Sequence, residues 1–444
     1  MEGAVTASRA TATSVPHWRN WAGNQQATAR ETRPGGLDEL SAIVTGAAAA
    51  GERVKPVGSG HSFTDIAVTD GIRIDLAALP GRVDVDREHR RVTVPAGMTL
   101  ATLNALLSTH GLALPNLGDI DAQTIAGAIS TGTHGTGAAY GCLSTFVGGL
   151  TLVTGTGEVL RCDEHTNPEV FSAARVGLGA LGVLTEVTLQ CVEAFTLRAH
   201  ERPGRLADVL ADWPALVADN DHCDLYWFPY TDRVQVKTNN RVPADDRPLP
   251  GWRGWLDDDF LANTVFAGAC LLGRAVPATV APINAVSARA LTERVYTGRS
   301  DAVFCTPRRV RFTEMEYGLP RDAFPTMLGE LPRIIDRLPF KVQFPVEVRF
   351  TAADDIPLSH GYGRESVYVA VHQFAGAPYE PYFKAVETLA RELGGRPHWG
   401  KLHYRDAESL RPVYPRFDGF VALRDRLDPH RVFANAYTER VLGS

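Results

Sequence analysis

The sequence predicts an α+β protein of two domains, the first of them completed by the end of the chain. Three observations point there. At 444 residues the chain exceeds what one hydrophobic core ordinarily organises. Its first part alternates helix-period and strand-period segments. From about residue 196 aromatic, alternating strands recur between long amphipathic helices, which is the pattern of an antiparallel sheet. The expected division is residues 1–195 joined by 401–444, and a second domain over 196–400.

The elements follow in order. GLDELSAIVTGAAAAGER places Leu37, Leu40, Ile43, Val44 and Ala47 at helical spacing, with Gly51 to end the helix. VKPVG reads as a short strand, and Arg91 to Val94 alternates like another. PAGMTLATLNALLSTHG returns to helical period, with Gly111 placed to follow its last turn. VLTEVTLQCVEAFTLRAH alternates for eighteen residues and predicts one long strand or two. In the second part DLYWFPY, RVQVKTN, RRVRFTEMEYGLP, VQFPVEVRF and ESVYVAVHQF predict strands. AFPTMLGELPRIIDRL and PYFKAVETLARELGG predict helices, as do FDGFVALRDRLDP and RVFANAYTERVLG near the end. Residues 239–255, rich in Pro, Asp and Gly, predict a surface loop.

Composition excludes several classes. A net charge of −6 with no run of five basic residues argues against nucleic acid or an anionic membrane as the main partner. The six cysteines stand singly with no CxxC pair, which fits reduced thiols rather than a disulfide framework or a zinc site. The first twenty-one residues contain no apolar signal-peptide core, and the most apolar run, FLANTVFAGACLLG, has only 14 residues against the roughly 20 a spanning helix needs. A cytoplasmic protein without transmembrane segments is expected.

Four stretches carry chemistry. GLGALG, at 177–182, matches GxGxxG, but a strand follows it instead of a helix, so it does not predict a Rossmann turn. TIAGAISTGTHGTG, at 124–137, gathers glycines and hydroxyls whose backbone N–H groups suit a diphosphate; a plain tight loop is the alternative. His134 within it has no i+4 partner and no HExxH spacing, so it reads as a loop anchor rather than a metal ligand. VKPVGSGHSFTD, at 54–65, places His61 in a second small-residue loop straight after a strand. Together the two loops suit one nucleotide diphosphate with His61 facing its ring system. A structural hydrogen-bonded histidine and a general base are the other readings of His61. In PVEVRF, Glu347 and Arg349 share a strand face, either as a working pair or as a plain ion pair. RPHWGKLHY crowds His398, Trp399, Lys401 and His403, and HQF adds His372.

In this order VGSGHSFTD, NLGDIDAQTIAGAISTGTHGTG, LGALGVLTEVTL, PVEVRF and RPHWGKLHY resemble the aldonolactone oxidoreductases, FAD enzymes of the vanillyl-alcohol-oxidase type. The likeness runs from about Trp18 to the C-terminus. It implies an FAD-binding domain of the PCMH type and a substrate-binding cap. It also implies oxidation of an aldonolactone, with L-gulono-1,4-lactone at its C2 hydroxyl as the expected substrate. Alditol oxidases share GSGHSF and HWGK, so a xylitol or sorbitol oxidase is the alternative; a non-catalytic flavin-binding regulatory module is a distant one.

The resemblance also implies roles. His61 stands where many members bond covalently to the 8α-methyl of the flavin. The 124–137 stretch has no cysteine for a second link, so a single link is expected. Val57, Gly58, Ser59, Gly60, Ser62, Gly118, Asp119, Thr124, Gly127, Ser130, Thr131, Gly132, His134, Gly135, Gly182 and Val183 are expected around FAD. Glu347, Arg349 and Lys401 are expected to be catalytic, with Asp119 and His372 beside the substrate. Gly118 stands where plant galactonolactone dehydrogenases carry alanine, which favours an oxidase using O2 and forming H2O2. Asp119 replaces the serine of alditol oxidases, and Phe374 a more polar residue, which weighs against sugar alcohols.

Overall fold

The computed structural model describes residues 17–243, 260–261, 263–306 and 308–444. The expected lack of a leader segment concerns mainly residues 1–16, outside the described residues. A three-stranded parallel sheet opens the fold, in the order Arg30–Thr32, Ile72–Asp75, Val54–Val57. Helix Leu37–Ala50 covers it, burying Leu40, Val44 and Ala47 against Val54, Ile72 and Ile74. This is the helix its apolar spacing predicts, and Gly51 closes it.

A five-stranded antiparallel sheet lies next in the chain, ordered Val159–Cys162, Val147–Val153, Val183–Gln190, Arg91–Pro95, Asp84–Asp86. The alternating run from Val183 does not continue as one strand. It ends at Gln190. Val192–Glu193 then pairs with Leu112–Ala113, and Thr196–Arg205 enters a different sheet. Alternation persists across the break because each piece buries one face, although the faces belong to different sheets.

That third sheet is antiparallel throughout and has eight strands, ordered Arg294–Arg299, Thr196–Arg205, Arg233–Val242, His222–Trp227, Val346–Thr351, Ser366–Phe374, Phe312–Pro320, Arg396–Pro397. Helices Phe324–Asp336 and Glu380–Glu392 bury Met327, Leu331, Phe383 and Val386 against Leu225, Val346, Val348, Val369 and Val371 on one face. The predicted loop at 239–255 begins later than its composition suggests. Asn239 is held in a strand by His222 on one side and Ala199 on the other, so pairing overrides its loop propensity. Residues 244–255 of that expected loop lie outside the described residues.

The chain then returns to its beginning. Trp399, Leu410, Tyr414, Phe417, Phe420, Tyr437 and Val441 share one buried cluster with Leu103, Ile129 and Leu143. Each such side chain contributes roughly 1.5–3 kcal/mol over leaving it exposed. Among the described residues no helix is long and apolar enough to cross a membrane.

Asn435 fastens this return to the segment after the His61 loop. Its Nδ2 donates to the carbonyls of Asp65, Ile66 and Val68 at 2.9–3.1 Å, and its Oδ1 accepts from Thr438 N to cap helix Ala436–Leu442. Asn435→Ala loses the cap and leaves carbonyls unpaired, so a stability loss of about 2–3 kcal/mol is expected in urea unfolding. Asn435→Ser retains the cap without the amide's reach and is expected to recover only the cap's share of that loss.

Candidate active site

Two cavities meet at His61. The larger, about 260 Å³, lies between the parallel sheet and helix Ile125–Ser130. Val57, Gly58, Ser59, Gly60, His61, Ser62, Thr124, Gly127, Ser130, Thr131 and Gly182 line it, as expected of a cofactor cleft. Two glycines explain why the loop must be built of small residues. A Cβ on Gly58 would stand 2.2 Å from Thr124 Oγ1, and Gly60 has φ +70° against the Trp18 ring. The GLGALG stretch, rejected as a Rossmann turn, follows helix Pro168–Ala174 and precedes strand Val183–Gln190, and it contributes Leu178, Gly179 and Gly182 to the cleft wall.

Three expected cofactor residues line neither cavity. The Val183 side chain packs in the core beneath helix Leu37–Ala50. Gly132 backs onto His360, and Gly135 lies under the Leu117 carbonyl, so both shape the loop from behind.

The cleft fits a dinucleotide. Its lining is largely loop backbone, and Lys55 Nζ, buried and without a hydrogen-bond partner, lies beside it. Burial lowers that ammonium to about 7. An unpartnered buried amine held near neutrality gains its charge readily beside an anionic ligand, and His61 lines the same cleft. Burial, then the charge of Lys401, pushes the His61 imidazole below its usual value, which favours the neutral ring.

The smaller cavity, about 50 Å³, is bordered by His61, Gly118, Asp119, Thr131, His134, Glu316, Arg349, His398 and Lys401, with Trp21, Phe63 and Phe312 as its aromatic wall. Sheet register assembles its polar side. Tyr226, Glu347, Ala370 and Glu316 lie opposite one another across four neighbouring strands, as do Asp224, Arg349 and Tyr368, and Glu314 faces His372. With a side-chain period of two, these residues share the face opposite the apolar core. The small side chain of Ala370, between Glu347 and Glu316, leaves the middle of that face low.

Arg349, only 9% exposed, is the hub. It pairs with Glu347, with Asp224 at 3.3 Å and with Asp119 at 3.4 Å. Burial raises the Glu347 carboxyl above its usual range; Arg349 opposes the rise, and Asp119 adds to it. Tyr226 OH also donates to Glu347. Asp119 behaves oppositely: although burial works to raise it, Arg349 and Arg308 hold it well below the carboxylate range. Arg308 reaches Asp119 at 2.7 Å, with 35% and 25% of the two side chains still exposed, so solvent screens this rim pair in part. Lys401 pairs with Glu314 at 2.5 Å and lies over the Phe63 ring. Burial would lower the Lys401 ammonium, but Glu314 and Glu316 raise it, so it stays charged. His372 sits one layer back, 3.5 Å from Glu314 and edge-on to Phe312, and does not border the cavity. Phe374 packs with Phe312 and Phe344 as an apolar wall.

Sequence reasoning missed Glu314, Glu316, Asp224, Arg308 and Trp21. The alternation of FTEMEYG does place Glu314 and Glu316 on one face, which was the available signal. His134, Glu316 and His398 bring ligand-type atoms within 4.8 Å. However, His398 Nδ1 accepts the Gly400 N–H, which puts the ring proton on Nε2 and removes the lone pair a metal would need. His134 Nδ1 meets the Gly135 carbonyl and Nε2 lies 3.3 Å from Glu316, so this histidine anchors its loop.

Comparison with known proteins agrees with this geometry. Residues 187–441 match the family model described as D-arabinono-1,4-lactone oxidase, and residues 29–163 match an FAD binding domain. The chain is 44% identical over 429 residues to L-gulono-1,4-lactone dehydrogenase of Mycobacterium tuberculosis (strain ATCC 25618 / H37Rv), covering 96% of this chain and 99% of that one. It is 36% identical to L-gulonolactone oxidase of Bos taurus, over 92% and 94% of the two chains. It is 33% identical to alditol oxidase of Streptomyces sp. (strain IKD472 / FERM P-14339), over 95% and 98%. In fold it resembles cholesterol oxidase from B. sterolicum, with a TM-score of 0.81 at 19% identity over 96% of each chain. The chain therefore belongs to the aldonolactone oxidoreductases, two-domain FAD-binding proteins whose members act on CH–OH groups.

Proposed function

We propose that this protein oxidises L-gulono-1,4-lactone at its C2 hydroxyl, with O2 as electron acceptor and H2O2 as product, and that its FAD is bonded once, through His61. The observation that carries the reading is that Arg349 and Lys401 border a cavity joining the cofactor cleft at His61, with Glu347 paired to Arg349 on the same strand face. When bound, FAD supplies the acceptor for the hydride that leaves the substrate carbon. Val57–Ser62 and Thr124–Thr131 would hold it, with Lys55 as the buried cation nearby. Glu347 takes the hydroxyl proton, and Arg349 orients both Glu347 and the substrate oxygen. Lys401 keeps a positive charge where negative charge accumulates. The Asp119–Arg308 pair narrows the rim, and Phe374 packs with Phe312 of the cavity's aromatic wall. Both features favour a compact lactone over an open-chain polyol.

Substrate class is tested by anaerobic addition of L-gulono-1,4-lactone and, separately, xylitol. Bleaching of the visible flavin band by the lactone alone is expected, and bleaching by xylitol alone would overturn the lactone assignment. Acid precipitation is expected to leave the yellow colour in the pellet for wild type and in the supernatant for His61→Ala.

Glu347 must be ionised to accept a proton, and its carboxyl titrates above the usual range. Accordingly, kcat/KM is expected to rise with pH through that displaced titration and to be lost below it. Glu347→Gln is expected to lower kcat roughly 10²- to 10⁴-fold and to remove this acidic limb.

Gly118 borders the cavity, and an added Cβ would lie 3.7 Å from Thr133 Cγ2 but only 3.2 Å from the His134 carbonyl, which must give by a few tenths of an ångström to admit it. Gly118→Ala is expected to fold, to be reduced by lactone at the wild-type rate, and to be reoxidised by O2 more slowly. Equal reoxidation rates in stopped flow would remove Gly118 as the determinant of the acceptor.

A further inference from the structure

The turn between strands His17–Arg19 and Gln26–Thr28 directs its polar groups at the His61 loop. Trp21 N donates to the Gly60 carbonyl at 2.7 Å, and Asn20 Nδ2 donates to the Ser62 carbonyl at 3.0 Å. Asn24 Nδ2 and Gln25 Nε2 both donate to the Phe63 carbonyl, at 2.9 and 3.1 Å. From the other side, Phe63 N donates to Gly400 O and Thr64 Oγ1 to Trp399 O. The backbone on both flanks of His61 is therefore held.

The imidazole itself is held differently. Among the described residues no group hydrogen-bonds its ring. Instead Trp21 stacks on it, with centroids 5.7 Å apart and planes inclined by 22°. The indole is fixed in turn by edge contacts with Phe312 at 5.3 Å and Phe63 at 6.4 Å. A stacked ring restrains the plane of an imidazole while leaving both nitrogens free, which a hydrogen bond would not.

We propose that Trp21 is a positioning residue for covalent flavin attachment, fixing the His61 ring so that a free nitrogen faces the cofactor cleft. This rests on the His61 linkage proposed above. Attachment joins an imidazole nitrogen to the 8α-carbon and breaks one C–H and one imidazole N–H bond. The two electrons and two protons released pass to the isoalloxazine and then to dioxygen, giving hydrogen peroxide. The nucleophile must be uncharged, and the burial of His61 beside Lys401 favours that form.

The test compares wild type, Trp21→Phe and Trp21→Leu, each produced with its flavin. Total bound flavin is read from absorbance. Covalent flavin is read from fluorescence of the denatured band and from the acid pellet. Trp21→Leu is expected to bind flavin but to show a covalent-to-total ratio lowered about tenfold, because a slightly misplaced reacting group reacts more slowly. Trp21→Phe, which keeps an aromatic face, is expected to recover most of it. Dividing covalent by total flavin removes any effect of partial unfolding, so an unchanged ratio in both variants overturns the proposal. If wild type itself releases all its flavin, the linkage reading falls and this proposal with it; an unchanged ratio in Trp21 variants of a covalent wild type overturns this proposal alone.

Discussion

One buried guanidinium ties the site together. Arg349 answers three carboxylates, two from the large sheet and one, Asp119, from the cofactor-binding part of the chain. Leaving any of these charges buried without its partner costs about 3–5 kcal/mol, so the two parts of the chain cannot separate without a large penalty. The same contact holds the sheet's polar face against the Asp119 segment at the edge of the smaller cavity.

The large sheet does two jobs because strands alternate. Val346 and Val348 join the apolar core under helices Phe324–Asp336 and Glu380–Glu392, while Glu347 and Arg349 alternate onto the opposite face, where Arg349 borders the cavity. A one-residue slip in any of four strands would exchange these faces. The apolar side thus fixes the register, and the register fixes which polar groups stand opposite one another. Precision at the site derives from core packing on the far face.

Much of this was legible locally and the rest was not. Small-residue loops around His61, the alternation of PVEVRF and the HWGK segment each announce themselves within ten residues, and all three meet at the site. Most helices were legible from apolar spacing, as in Leu37–Ala50. Partners supplied by pairing were not. Asp224 is an ordinary acidic residue until register sets it against Arg349, and Arg308 only matters because a connection from the sheet crosses Asp119. The break at Gln190 was hidden because two sheets continue the same alternation. Val183, Gly132 and Gly135, expected around FAD, line neither cavity: the Val183 side chain packs in the core, and the two glycines shape the loop from behind.

The network also explains which carboxylate is left to carry a proton. Glu314 is claimed by Lys401 and His372, and despite its burial they hold it down to about 2. Glu316 is buried too, but His134 lowers it. Asp119 shares two arginines. Glu347 has one cation, and that cation is divided among three acids, so burial prevails and its proton affinity rises. Of these four acids, the distribution of three cations leaves only Glu347 with its proton affinity raised. That asymmetry, rather than the number of acidic groups, sets Glu347 apart from the other carboxylates of the network.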